Sequence, residues 1–303
     1  MIDASTANLR QTRRVEDRTT IVTGATGSLG SYLVERLAAR GGRVIALSRG
    51  RPPGDRIAWH RWSMPDEPPA EAFAGGVDVA IHCAYETRAA DPSRAYSVNV
   101  EGSRRFIEAS HARGVRTVVF ISSLSAHDAA VSAYGRSKLA VEALLDPRRD
   151  LAIRPGLIVG RGGGGLYGRM RAVIGRVRVI PLPYGGRQLI QTIAIEDLAA
   201  GILRAIERRI TGTLMIAAPD PLPIEEMYRE IARAARVRPI FVRVPGAPLL
   251  FVLRSLETLG LRLPVTSENL LGLRQLRAFD VRADLARLDL HPRPMREAIR
   301  ASG

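Results

Sequence analysis

The chain has 303 residues, 46% of them hydrophobic, enough for a large core in one α/β domain with an elaborated C-terminal half. It has no run of about 18 uncharged apolar residues, so no membrane span is predicted. The net charge of +15 is carried by arginines scattered without a dense cluster or interleaved aromatics. That pattern argues against a nucleic-acid partner and reads as a compositional bias toward arginine on a solvated surface, with an anionic substrate or lipid surface as the alternative.

Residues 1–18 are polar and basic without the apolar core of a signal peptide, and read as a basic tail. From there, apolar runs alternate with amphipathic stretches, the pattern of a parallel sheet covered on both faces. Strands are predicted at 20–23, 43–47, 57–62, 77–83, 117–122 and 151–154. Helices are predicted at 28–40, closed by Gly41-Gly42, at 92–113, closed by Gly114, and at 133–145. Beyond Pro155-Gly156 the pattern loosens. A glycine run at 162–165 is expected to be a mobile loop. A helix at 195–208 opens on Glu196-Asp197, a strand follows at 213–217, and helices are expected at about 224–236, 247–260 and 267–277. The stretch 248–254 is apolar and basic, and reads as part of a substrate lid, with a place on a membrane surface as the alternative. The one cysteine, Cys83, excludes an internal disulfide and fits a reducing, cytoplasmic setting.

Three features carry chemistry. Thr23-Gly24-Ala25-Thr26-Gly27-Ser28-Leu29-Gly30 lies between the first strand and first helix, where glycines permit a tight turn and close approach to a pyrophosphate on the helix N-terminus. Gly24, Thr26, Gly27, Ser28, Leu29 and Gly30 are the candidate contacts. The second strand ends in Leu47-Ser48-Arg49, without the acid that would select NAD at the adenosine ribose. Ser48 and Arg49 favour a 2′-phosphate, hence NADP(H), with NAD(H) left open. The third feature is a singular cation. Lysine and arginine total 45, of which one is lysine. Lys138 stands four residues after Tyr134 in a helical stretch, so the two share a face one turn apart. An ammonium beside a phenol favours phenolate and is expected to lower its pKa, giving a proton donor and acceptor. Ser122-Ser123 ends the fifth strand, at the carboxyl edge where open sheets bind ligands.

Gly24-x-x-Gly27-x-x-Gly30, His82-Cys83-Ala84, Asn99-x-x-Gly102, Ser122-Ser123, Tyr134-x-x-x-Lys138 and Arg154-Pro155-Gly156 occur in one order over about residues 19–217. Together they resemble the extended short-chain dehydrogenases, the epimerase/dehydratase family. The resemblance implies a doubly wound parallel α/β sheet of Rossmann type with a smaller, partly interleaved C-terminal substrate domain. Residues 19–160 would bind the dinucleotide, with 190–218 returning to that domain, while 161–189 and 219–303 would bind substrate. It makes Ser123, Tyr134 and Lys138 catalytic, with Lys138 also holding the nicotinamide ribose. Cys83, Ala84, Ser122, Pro155 and Leu157 would line the cofactor. His82 reads as a strand-end packing residue, Asn99 as a polar bridge between helix and loop, and Cys83 as a small core residue. No metal site is expected.

Departures from the family bear on substrate. Leu124-Ser125 replaces the Asp-Glu pair of sugar dehydratases, and only ten residues separate Ser123 from Tyr134. No asparagine follows Arg154-Pro155-Gly156. Ala194 stands at a frequent histidine and Ser63 at a frequent adenine-binding aspartate. The expected function is an NADP(H)-dependent oxidoreductase acting on the carbonyl or alcohol of a small molecule. A nucleotide-sugar epimerase is the first alternative. A non-catalytic NADPH-binding subunit or sensor is the second, given a likeness of 271–299, with Pro292-Arg293-Pro294, to an accessory subunit of respiratory complex I. A homodimer is left open.

Overall fold

The computed structural model describes residues 17–55, 57–86, 91–160, 164–261 and 266–302. In the first half, β1 (Thr19–Thr23), α1 (Ser28–Ala39), β2 (Arg43–Ser48), β3 (Ala58–Arg61), β4 (Val79–His82), α2 (Pro92–Ala112), β5 (Thr117–Ile121), α3 (Ala133–Glu142) and β6 (Leu151–Pro155) follow one another. The second half adds β7 (Leu157–Val159), α4 (Gly165–Ile174), β8 (Val179–Pro183), β9 (Leu189–Ile190), β10 (Thr192–Ala194), α5 (Ile195–Glu207) and β11 (Gly212–Ile216). After these come β12 (Leu222–Pro223), α6 (Ile224–Ala234), β13 (Ile240–Val244), α7 (Gly246–Thr258), α8 (Ser267–Arg274), α9 (Arg282–Leu288) and α10 (Met295–Ala301).

Seven strands form one sheet in the order β11-β6-β5-β4-β1-β2-β3, every pairing parallel. The fold is the doubly wound Rossmann type that the sequence implied. Successive side chains of a strand face opposite sides, so Val22, Val44 and Val79 meet α1 and α5, while Ile21, Ile45 and Ala80 meet α2. Both faces are buried, which is why the strands read as near-continuous apolar runs. A third apolar cluster joins Tyr167 and Ile174 of α4, Ile180 of β8, Met227 and Ile231 of α6, and Met295 and Ile299 of α10. Three two-stranded pairs, β7 with β10, β8 with β13 and β9 with β12, build this region. Among the described residues no helix is long and apolar enough to cross a membrane.

Several expected boundaries shift for local reasons. β4 stops at His82 instead of Cys83 because the amides of Cys83 and Ala84 both donate to the Thr23 hydroxyl, at 3.1 and 3.0 Å. α3 ends at Glu142, short of 145, as Leu144 and Leu145 make tighter bonds to carbonyls three residues back ahead of Pro147. Of the glycine run, 162 and 163 lie outside the described residues, but Gly164 caps α4 and Gly165 begins it. The 1–18 tail likewise lies outside them except for its last two residues. α9 and α10, seven residues each, escaped prediction because two turns give no readable period. Arg293 explains the Pro292-Arg293-Pro294 stretch: its guanidinium meets Asp197 at 3.0 Å and Glu196 at 2.8 Å, tying the approach to α10 to the start of α5.

Asp150 opens β6 from a buried position, 1% exposed. Its carboxylate accepts from the Val118 amide at 2.9 Å and the Asp146 amide at 3.0 Å, and meets His111 Nε2 at 2.9 Å. Asp150→Ala removes the acceptor and strands the buried Val118 amide as well as loosening the Asp146 turn, so it should cost about 2 kcal/mol. Urea unfolding checks this, and a loss below about 0.5 kcal/mol would show the amides satisfied otherwise.

Candidate active site

β1 delivers the chain into the glycine turn. Gly24 has φ +62°, and a Cβ there would lie 2.9 Å from the backbone of Ala84. A Cβ on Gly30 would lie 2.2 Å from the Gly24 carbonyl oxygen, so only glycine lets α1 start this close to the turn. Gly27 caps α1 without a side-chain hydrogen bond, leaving the leading amides of the helix for a ligand. Thr26 and Ser28 are exposed beside them, whereas Leu29 is buried in the core and has only its amide to offer. Gly164 brings the start of α4 against this turn, where its Cβ would meet that of Ser28 at 3.0 Å. The cradle is shaped as a dinucleotide pyrophosphate requires, narrow, glycine-walled and at the positive end of a helix.

Thr23 locks the crevice beside it. Its hydroxyl oxygen accepts from the Cys83 and Ala84 amides, so its proton goes to His82 Nδ1, 2.7 Å away. That fixes His82 as the neutral tautomer donating from Nε2 to Ser103 at 2.9 Å. Burial and the charge of Lys138 push His82 down to about 3, which suits its role as packing residue. Burial pushes the half-buried Cys83 thiol up to about 12, so it is no nucleophile. Asn99 bridges helix and loop, accepting from the Glu86 amide at 2.7 Å and donating to the Glu86 carbonyl at 3.0 Å.

α3 is docked by small residues. The Ser132 hydroxyl caps the Gly135 amide at 3.2 Å, and a Cβ on Gly135 would lie 2.4 Å from the Ser125 carbonyl oxygen. This close seat carries Tyr134 and Lys138 to the carboxyl end of β5. Lys138 is 5% exposed, and its ammonium donates to the Ile121 carbonyl at 2.7 Å. It lies 4.3 Å from the Tyr85 ring centre, 4.7 Å from that of Phe120 and 5.9 Å from that of Tyr134. Burial draws its pKa down to about 7, against the opposing pull of Cys83 and Glu142. Tyr134 points its hydroxyl inward although the residue is 41% exposed. Burial raises that hydroxyl above the usual phenol value, and its hydrogen bond with Ser123 pulls the other way. The expected lowering of Tyr134 is therefore not found: Lys138 lies over its ring and is turned toward Ile121. Ser123 in turn accepts from the Ser125 amide at 3.1 Å.

The two serines are divided in their engagements. Ser122 donates to Glu142, whose carboxylate holds Arg154 at 2.6 Å, so only Ser123 faces Tyr134. Ser48 ends β2 with its hydroxyl donated to the Gly50 carbonyl at 2.7 Å, which leaves it only acceptor capacity. Arg49 is exposed, its guanidinium 3.9 Å from Glu86, a solvent-screened pair. Pro155 is buried at the end of β6, and Leu157 is half-buried in β7. Sequence reasoning missed Tyr85. Ser137 spends its proton on the Tyr134 carbonyl, so the Tyr85 hydroxyl donates to Ser137, at 2.7 Å. The Tyr85 ring stands edge-on to Tyr134, centres 5.2 Å apart. The only available signal was its place next to Ala84 in the strand-end motif.

Residues 20–214 match the model of the NAD dependent epimerase/dehydratase family. A ceramide reductase of Caulobacter vibrioides (strain NA1000 / CB15N) is 28% identical over 239 residues, covering 76% of this chain and 74% of that protein. A 3-diazoavenalumate denitrifying reductase of Streptomyces sp is 28% identical over 268 residues, covering 75% of this chain and 82% of that one. Among solved structures, MoeE5 in complex with UDP-glucose and NAD superposes with a TM-score of 0.71 at 20% identity, over 94% of this chain and 97% of that chain.

The buried lysine has a cost that pH reveals. In the folded, cofactor-free protein it titrates near 7, against 10.5 for an ordinary lysine. The unfolded chain thus binds the extra proton across that interval, and stability contributed at this position rises with pH from about 7 to 10.5. Lys138→Met has no such group. Its melting temperature relative to the parent should be highest at pH 7 and decline toward pH 10.5, by about 2–4 °C per kcal/mol of relieved burial cost. A constant difference across this range would show that Lys138 is not desolvated.

Proposed function

Because the chain belongs to the NAD dependent epimerase/dehydratase family, we propose that it is an NADP(H)-dependent reductase of a small-molecule carbonyl, using Ser123, Tyr134 and Lys138. The observation that carries this is the placing of Tyr134 and the buried Lys138 one turn apart on α3 at the carboxyl edge of the sheet, the ammonium 5.9 Å from the Tyr134 ring centre. Burial raises the phenol so that it keeps its proton at neutral pH. A phenol that keeps its proton is poised to give it up to an oxygen gaining negative charge, as in carbonyl reduction. The names of the two reductases above agree with that direction.

When bound, the nicotinamide supplies the hydride. The Ser123 hydroxyl orients the substrate oxygen, and Tyr134 delivers its phenolic proton to it. Lys138, when protonated, holds its positive charge over the Tyr134 ring and favours the phenolate left behind. Its amine also suits a ribose hydroxyl, for which a compact ammonium on a flexible stem is better shaped than a planar guanidinium. Leu124-Ser125 next to Ser123 provides no carboxylate for elimination, which removes a dehydratase from consideration.

Purified protein assayed with NADPH and a panel of ketones and aldehydes should consume cofactor in net reduction. Isomerisation without net consumption would make it an epimerase, and tight cofactor binding with neither would make it a sensor. Tyr134→Phe should lower turnover by about 10²–10⁴-fold with cofactor affinity nearly unchanged. Lys138→Arg should lose at least about tenfold, roughly 1.4 kcal/mol of barrier, and weaken cofactor binding as well. Full activity of Lys138→Arg would remove Lys138 from the chemistry.

Cofactor choice is tested separately. Arg49 at the end of β2 is the group offered to a 2′-phosphate. Replacing it as Arg49→Asp should shift preference from NADPH to NADH by about 1.5–3 kcal/mol, the worth of a charge-assisted contact. Calorimetric titration with both cofactors reads this out, and an unchanged ratio of affinities would overturn the NADP(H) assignment.

A further inference from the structure

An apolar surface that the crevice does not account for lies on the β8–β13 ribbon and α7. A ribbon packed on one side should show polar residues on the other. Here Ile180 and Leu182 turn inward, while Val179 pairs across the ribbon with Ile240, and Pro181 with Val242, on the outward face. Ile240 is 65% exposed and Val179 53%. Only Pro245 separates β13 from α7, and Gly246 at the start of α7 packs against the Tyr184 ring just beyond β8. α7 buries Leu253 and turns Phe251 and Val252 to solvent, with Leu259 following one residue past its end. Phe251 is 74% exposed and Leu259 76%.

The charge around this face is predominantly positive: Glu257 on α7 is engaged by the amide and hydroxyl of Ser267, and Glu225 pairs with Arg243 of β13. No Asp or Glu occurs between Asp150 and Glu196, nor between Glu230 and Glu257. Arg176 and Arg178 precede β8, Arg236 and Arg238 precede β13, and Arg254 lies on α7, all exposed. Among the described residues none of the five has a carboxylate within ion-pair distance, although arginines elsewhere are widely paired, such as Arg293 with Asp197. Exposed apolar side chains bordered by unpaired arginines match a surface that is apolar beneath and uniformly anionic above.

We propose that the β8–β13 ribbon and α7 dock on the surface of an anionic lipid bilayer, with Phe251, Val252 and Leu259 entering the acyl boundary and the arginines meeting phosphate headgroups. A second copy of the chain fits worse, because it would set the five unpaired arginines against their own copies, and the one acid on α7, Glu257, is already held by Ser267. The docking face stands whether or not the crevice reduces a carbonyl.

The test is sedimentation of the full chain with vesicles of phosphatidylglycerol mixed with phosphatidylcholine, and with phosphatidylcholine alone. Binding is expected to the anionic vesicles, at least about tenfold stronger than to the neutral ones. Phe251→Asp with Leu259→Asp, both at exposed positions, should weaken it about tenfold or more, and Arg236→Glu with Arg238→Glu likewise, with melting curves unchanged. Absence of binding overturns the proposal. So does binding that ignores Phe251→Asp and Leu259→Asp, which would reduce it to the attraction of any chain of charge +15 for anions. A dimer in light scattering that Phe251→Asp dissolves also overturns it, by assigning the face to a second copy.

Discussion

An ammonium withdrawn from water at the carboxyl edge of a parallel sheet must be given other partners, and much of this site is arranged around that need. Ile121 lies one residue past the last β4–β5 pair, His82 with Phe120, and its carbonyl accepts a hydrogen bond from the Lys138 ammonium. The faces of Tyr85 and Phe120 take part of the remaining charge, a weaker but real compensation where water is excluded. Tyr85 is in turn held by Ser137, one residue before the lysine, and Ser137 by the carbonyl of Tyr134. The lysine, the phenol and the strand end are thus positioned through one another. Removing any one frees the next.

The phosphate turn is a second constraint of the same kind, built from absence of side chains. Gly24 and Gly30 give the turn its compactness, and Thr23 fastens it to the end of β4 by taking two amides that would otherwise have continued the strand. The glycine turn and the Tyr134–Lys138 pair therefore meet across β4, with Cys83 and Ala84 between them.

How legible this was in the sequence depended on whether the signal was local. The glycine turn, the lone lysine and the strand-end serines announce themselves because each requirement falls within a few consecutive residues. The sheet followed from apolar runs that only burial on both faces explains. Tyr85 did not show, since its partners are about fifty residues distant along the chain and an aromatic at a strand end has many ordinary uses. The acidity of Tyr134 was misjudged for a related reason: sequence spacing puts the ammonium one turn away but does not reveal that it faces Ile121. Glu86 beside Arg49 and the Glu142–Arg154 pair beneath Ser122 are likewise products of the folded crevice.

The near-exclusive use of arginine has a consequence for how the molecule's charge responds to its surroundings. Guanidinium groups do not release protons in any ordinary buffer. Of the 45 basic side chains, all but one therefore hold a fixed charge. The exception is Lys138, whose ammonium sits near its titration point in neutral solution. The arginine field of the outer surface is thus insensitive to alkalinity, while the one lysine charge is enclosed in the crevice. A shift of a single pH unit about neutrality leaves the guanidinium charge of the surface as it was and changes the electrostatics of the interior.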